Sequence, residues 1–224
     1  MRQDSVDPGD DRCMILLEGN IGSGKSTLGV MAAESEKFAF IPEPVDEWRR
    51  ADLLRLFYED PWRWAFTFQL NAFTTRAKTW DEILALTDHS RVMLERSIYC
   101  DRYVFAKNCW RQGLMNDDEW GIYCRMWDWL EARWCTPPDH IVYLRTPVGM
   151  CLDRIKLRGR EEEQSIAPSY LIQLEDLHDE WLLDDPRTII VEPDGPYYRD
   201  GFVDLEALDR EIAQRNVDNG GKTW

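Results

Sequence analysis

The sequence predicts a layered α/β domain built on a parallel sheet of five strands. Three observations carry this. Short apolar runs alternate along the chain with longer segments of helical period, and a glycine-rich turn joins the first run to the first helix. The length, 224 residues and 26.5 kDa, suits one domain that buries roughly 70% of the unfolded chain's surface.

The predicted strands are Cys13–Leu17, Phe38–Ile41, Arg91–Leu94, His140–Leu144 and Thr188–Val191. The first, fourth and fifth are nearly continuous in Met, Ile, Leu and Val, as strands covered on both faces require. A helix is expected from Lys25 to about Glu36, after the glycine turn. Asp60 and Pro61 supply an N-cap and a first-turn proline for a long helix to about Leu86. Asp117–Trp134 is the next, stopped by Pro137 and Pro138. Pro147 opens one towards Leu157, Pro168 opens one towards Leu182, and Asp204–Gln214 makes the last. The expected organisation is a flexible acidic N-terminus (1–12), one domain (13–214) with a lid at about 154–167, and a polar tail (215–224).

Acidic residues number 42 against 27 basic, for a net charge of −15. A field of that sign opposes nucleic-acid polymers and anionic membranes but not a small anion held by a local donor cluster. No apolar stretch reaches membrane-spanning length. Six cysteines without a CxxC pair, behind a polar start with no apolar core, predict free thiols and a cytoplasmic location. The 11 tryptophans are unusual. Trp120, Tyr123, Met126, Trp127, Trp129 and Trp134 share one helix and read as core or interface, which makes a homodimer an expectation.

Residues Gly19, Asn20, Ile21, Gly22, Ser23, Gly24, Lys25, Ser26 and Thr27 fit GxxxxGK[ST] between a predicted strand and a predicted helix. Such glycines let successive backbone N–H groups curl round a phosphate, and the helix N-terminus adds positive potential. Lys25 is suited to the β and γ phosphates of ATP and Ser26 to Mg²⁺. No NKxD string for guanine is present, and five strands are few for a motor or helicase. A kinase of a small metabolite is the economical expectation.

Glu43, in Pro42-Glu43-Pro44, follows the second strand, at the sheet edge where parallel α/β domains bind ligands. By sequence it is either a solvated loop acid or a base for an attacking hydroxyl. Glu95 and Arg96 end the third strand and are either solvated or set for Mg²⁺ and phosphate.

These blocks together resemble the deoxynucleoside kinase family, in its deoxycytidine, deoxyguanosine and deoxyadenosine kinase-like branch. The resemblance rests on GNIGSGKST (19–27), EPVDEW (43–48), YEDPWRWAFTFQ (58–69), ERSIYCDRYVF (95–105) and RGREEEQSIAPSY (158–170). It implies a P-loop NTPase-type three-layer fold with a five-stranded parallel sheet flanked by helices and an arginine-rich lid. It further implies transfer of the ATP γ-phosphoryl group to the 5′-hydroxyl of a deoxyribonucleoside. Glu43 is then the general base, Arg96 the partner of the hydroxyl and phosphate, and Glu95 part of the Mg²⁺ environment. Tyr58 and Glu163 contact the sugar 3′-hydroxyl. Trp48, Leu54, Phe57, Phe68 and Phe105 line the nucleoside pocket, with Phe68 stacking on the base. Arg158 and Arg160 in the lid clamp the phosphates.

Gln69, Ala72, Phe73 and Arg76 share one helix face, suited either to a planar base or to a structural polar cluster. In the family, the positions of Ala72, Arg76 and Asp101 separate base classes. Arg76 with Asp101 disfavours thymidine, and the arginine favours purines through their Hoogsteen acceptors, whereas Ala72 pulls towards the deoxycytidine kinase pattern. Deoxyadenosine or deoxyguanosine is the expected substrate. The alternatives are deoxycytidine, broad specificity, a nucleoside monophosphate, or a regulatory module without catalysis. The lid departs from the family pattern in having three consecutive glutamates and a proline displaced to 168.

Overall fold

Strand β1 (Cys13–Gly19) holds the centre of the sheet, because its residues are apolar enough to be covered on both faces. In the computed structural model, which describes residues 13–84, 90–134 and 137–218, it lies between β3 (Arg91–Glu95) and β4 (His140–Leu144). Strand β2 (Ala39–Ile41) flanks β3, and β5 (Thr188–Val191) flanks β4. Every ladder of this sheet is parallel, with Leu17 opposite Glu95 and Gly19 opposite Leu144. The five predicted strands are all present. Strands β1 and β3 run further than predicted, so Gly19 and Glu95 are strand ends. The order β2-β3-β1-β4-β5 reverses direction at β1, and a crevice therefore opens beyond its C-terminal end.

Alternation along the strands divides the core. Ile15, Leu17, Met93, Val142, Leu144, Ile189 and Val191 face α1 (Lys25–Glu34) and the C-terminal helix Leu205–Asp218. Met14, Leu16, Val92, Leu94, Ile141 and Tyr143 belong to a second cluster on the opposite face. Its helical wall comes chiefly from Pro61–Leu84 and Asp117–Trp134. Asp60 caps the former as predicted, its carboxylate accepting from the Arg63 N–H at 3.2 Å. The predicted end at Leu86 and Cys135 both lie outside the described residues.

Between β2 and Pro61 stand two short helices that the sequence reading left out, α2 (Val45–Arg50) and α3 (Leu53–Glu59). The long helix is then α4. After β3, Ser97 caps a helix by accepting from the Cys100 N–H, and this helix runs as α5 (Ile98–Cys100), a π-helical turn (Asp101–Ala106) and α6 (Lys107–Arg111). Asp117–Trp134 is α7, and α8 (Val148–Arg158) follows β4. Gly159 ends α8 at φ 67°, a left-handed conformation that costs glycine little. Part of the expected lid at 154–167 is therefore helix, leaving 160–167 and its 3₁₀ turn Glu161–Glu163 as the free strap before α9 (Pro168–Leu182).

One expectation needs correction. The last helix, α10, continues to Asp218 instead of stopping at Gln214, so residues 215–218 are not tail. Arg215 holds that turn through Glu211 at 2.8 Å and the Pro186 and Thr188 carbonyls, and Asn216 pairs with His140 at 2.7 Å. On α7, Tyr123 and Trp127 enter the core, but Met126 and Trp129 point outward, with Trp129 58% exposed. Helical geometry explains the split, since neighbouring positions in the stripe lie about 100° apart and only one arc faces the sheet. None of the five described cysteines is in a disulfide, and no helix among the described residues is long and apolar enough to cross a membrane.

Tyr123 is fully buried against Phe73 and Trp120, and its hydroxyl finds no hydrogen-bond partner among the described residues. Removing an unsatisfied polar atom at constant shape stabilises a core. Tyr123→Phe should raise the unfolding free energy by about 1 kcal/mol and the Tm by ~2–4 °C in a calorimetric scan. A lower Tm would show that the hydroxyl is satisfied.

Candidate active site

The strand-to-helix turn after β1 is held open for an anion. Gly22 sits at φ 78°, and a Cβ there would stand 2.6 Å from the Cys151 carbonyl oxygen, so only glycine fits. Thr146 and Arg154 both donate to the Ser23 carbonyl, at 3.0 and 2.7 Å. Lys25 is curled onto the turn, donating to the Gly19 and Asn20 carbonyls at 3.0 and 2.7 Å. Burial, and then the neighbouring Arg96, push its ammonium down to about 8. Gly19 and Asn20 stay behind the cavity wall. Asn20 ties the turn to α9 by donating to the Leu171 carbonyl at 2.8 Å.

In front of the turn opens a cavity of about 570 Å³, a size typical of small-ligand sites. Its wall includes Ile21 to Thr27, Glu43, Trp48, Leu54, Phe57, Tyr58, Phe68, Gln69, Ala72, Arg76, Glu95, Arg96, Asp101, Phe105, Arg158, Arg160 and Glu163, whereas Phe73 of the same predicted helix face turns into the core against Tyr123. Blocks far apart in sequence thus share one space. At the phosphate end, the Ser26 hydroxyl donates to Glu95 at 2.5 Å. These two hard oxygen donors, side by side at the mouth of the turn, fit Mg²⁺.

The middle of the cavity is a charge cluster. Arg76, 2% exposed, donates to both Asp101 oxygens at 2.9 and 3.1 Å and to Glu43 at 3.0 Å. The remaining Arg76 nitrogen reaches the Glu95 carbonyl at 3.4 Å. Arg96 approaches the same Glu43 oxygen at 3.4 Å and lies over the Phe105 ring. Burial works to raise the Glu43 carboxyl, but Arg96, Arg76 and Lys25 outweigh it and hold the group below its ordinary range. Burial pushes the Asp101 carboxyl up against the pull of Arg76. Tyr58 is likewise raised, by burial and then by Glu163.

The far end is aromatic. Phe57 and Phe68 stack at 4.9 Å, and Trp48 meets Phe68 edge-on at 5.6 Å while donating its indole N–H to Thr75. Gln69 is 1% exposed, and its carbonyl oxygen has no partner among the described residues. A buried acceptor of that kind on a cavity wall is set for a donor from the ligand.

Over the opening lies the strap. Arg158 and Arg160 both pair with Glu163, at 2.5 and 3.1 Å, and Arg49 of α2 pairs with Glu162 at 2.5 Å. Several wall residues escaped the sequence reading. Arg154 begins the segment expected to form the arginine-rich lid, where only Arg158 and Arg160 are assigned to phosphate. Tyr170 ends the block at 158–170 without an assigned role, and the hairpin of β6 (Tyr198–Arg199) and β7 (Phe202–Val203), which brings Tyr198 and Phe202 to the wall, carries no signal beyond a turn-rich stretch.

A phosphate cradle, a protected carboxylate and a planar aromatic pocket in one cavity define a P-loop phosphotransferase acting on a small aromatic-bearing acceptor. A family model described as deoxynucleoside kinase matches residues 15–212. The deoxycytidine kinase of Mus musculus is 38% identical over 194 residues, covering 75% of each chain. Its Homo sapiens counterpart is 37% identical with the same coverage. Mitochondrial thymidine kinase 2 of Homo sapiens is 34% identical over 183 residues, covering 78% of this chain and 66% of the relative. The chain belongs to the deoxynucleoside kinase family, and it is a kinase that phosphorylates deoxynucleosides with ATP as donor.

Because free Lys25 titrates near 8, it is charged below that pH and neutral above it, and phosphate binding must then recruit a proton. Tryptophan-fluorescence titration with ATP should show a Kd roughly tenfold weaker at about pH 9 than at about pH 7. An unchanged Kd would remove Lys25 from the phosphate site.

Proposed function

We propose that the enzyme transfers the γ-phosphoryl group of ATP to the 5′-hydroxyl of deoxycytidine, with Glu43 as general base. The observation that carries this is Glu43 itself, a carboxylate lining the cavity with the phosphate turn and the aromatic pocket, ionised by two guanidinium groups. As the 5′-oxygen attacks phosphorus, the bond from phosphorus to the ADP oxygen breaks and the hydroxyl proton passes to Glu43. A carboxylate of depressed basicity accepts that proton late, once the new P–O bond has made the hydroxyl acidic. Arg96 is suited to the charge on the transferring group. Ser26 and Glu95 would hold Mg²⁺, which when bound neutralises phosphate charge. Tyr58 and Glu163 serve the sugar 3′-hydroxyl, and Arg158 and Arg160 the donor phosphates.

Base choice follows from hydrogen-bond polarity. Gln69 offers an amide donor and a free acceptor, and Asp101 offers acceptor oxygens. Together they suit an amino group beside an unprotonated ring nitrogen on the Watson–Crick edge, which cytosine and adenine present, whereas guanine carries N1–H there and thymine has no amino group. The purine preference expected from Arg76 loses its support, because Asp101, Glu43 and the Glu95 carbonyl occupy the guanidinium. Two of the relatives above are named deoxycytidine kinase, which favours cytosine. Deoxyadenosine is the second reading, on the same polarity.

The outward arc of α7, with Ile122, Met126 and Trp129 exposed, supports a homodimer through that face. Light scattering should report twice the chain mass, and a monomer would exclude the dimer. The unpaired thiols suit a reducing compartment such as the cytoplasm.

Steady-state kinetics with Mg-ATP should rank kcat/KM as deoxycytidine, then deoxyadenosine, with thymidine last. A purine maximum would reverse the base assignment. Glu43→Gln should lower kcat by roughly 10²–10⁴-fold while ATP affinity stays within about threefold. Near-normal turnover would show that Glu43 is not the base.

A further inference from the structure

Behind Arg96 lies a fully buried group that phosphoryl transfer does not itself employ: Glu18, Ser97, Cys100 and His178, each 0% exposed. Hydrogen-bond polarity orders it. His178 Nδ1 is 2.6 Å from the Leu174 carbonyl oxygen, which can only accept, so Nδ1 carries the proton. The ring is neutral, since burial and then Arg96 push its pKa down to about 3. Nε2 is therefore an acceptor, and it lies 3.6 Å from the Cys100 sulfur. The thiol keeps its proton, because burial and then Glu18 raise its pKa well above the ordinary value. Two acceptors face the S–H, His178 Nε2 and Glu18, and directing it at His178 leaves the sulfur lone pairs for Arg96 Nη1, 3.5 Å away.

The opposite side of Cys100 is fastened as well. Ser97 accepts from the Cys100 N–H at 3.1 Å and donates to Glu18 at 2.5 Å. Glu18, Cys100 and His178 each bring a ligating atom within 4.8 Å of the others, as a metal site would. The Arg96 cation on the sulfur opposes an ion there. Arg96 needs such fixing: its backbone sits at φ 61°, in the left-handed region, and among the described residues its guanidinium is otherwise aimed by Glu43 and the Phe105 face.

We infer that Cys100 and His178 are positioning residues for Arg96, a thiol–imidazole relay through which α9 aims the guanidinium at the reacting phosphate. The helix that supplies Leu174 and His178 follows the lid directly and also holds the phosphate turn through Leu171 and Asn20. The lid, the turn and Arg96 thus share one support. This inference rests on the proposed role of Arg96.

Steady-state kinetics on the full chain tests it. Cys100→Ala should lower kcat roughly tenfold, with KM for nucleoside and ATP within about twofold, because ground-state binding is untouched. Cys100→Ser, which keeps a donor and an acceptor, should recover most of that loss. His178→Phe keeps the ring that stacks on Tyr143 but lacks Nε2, and repeats the test from the other end should Cys100→Ala not fold. In an Arg96→Lys background, Cys100→Ala should cost nothing further. Losses that multiply across Arg96→Lys and Cys100→Ala, or a Cys100→Ser variant no better than Cys100→Ala, would overturn the relay. An Arg96→Lys enzyme with normal kcat would instead overturn the Arg96 role on which the relay depends.

Discussion

Glu43 shared between Arg76 and Arg96 is the contact on which the rest of the site depends. Each of these charges is costly to bury alone, and removing any one leaves its partners uncompensated. Arg76 connects Glu43 to Asp101 and to the end of β3, so α4, the β2–α2 loop and the π-helical turn are locked in one geometry. With Lys25 and Glu95 the cluster holds three cations and three carboxylates, near balance in a chain whose net charge is −15. Overall charge therefore says little about which small anions the cavity accepts. A triphosphate entering this balanced space brings excess negative charge, and Arg154, Arg158 and Arg160 also line the cavity.

Sheet topology supplies the place for that cluster. The reversal of strand order at β1 leaves a crevice beyond its end, and the phosphate turn, Glu43 and the Glu95–Arg96 pair all follow strands that end there. The π-helical turn adds a local adjustment. One widened turn lets Asp101 and Phe105 reach the cavity while Cys100 and Val104 stay in the core.

The 160–167 strap is held by ion pairs. Glu163 pairs with both Arg158 and Arg160, and Glu162 pairs with Arg49 across the opening. The three consecutive glutamates are thus divided in their work, two of them holding cations on both sides of the cavity. Exchange of these ion pairs for phosphate oxygens costs little, because charged partners are replaced by charged partners.

By itself the sequence determined the sheet, the phosphate turn and most of the cavity wall. Strand alternation and the P-loop are local patterns set by side-chain period and by the backbone freedom of glycine. Blocks such as ERSIYCDRYVF are legible because each brings several site residues in one short stretch. Only the tertiary structure decided what those residues meet. Arg76 looks free to donate to a purine until Asp101 and Glu43 are seen to occupy it, and the choice between core and interface for Trp129 stays open until α7 turns it outward. The hairpin at 198–203, the π-helical turn and the extension of α10 to Asp218 are likewise held by distant partners. The physical reason is common to all of them: period and propensity act over a few residues, whereas hydrogen-bond pairing and burial are settled between segments brought together by folding.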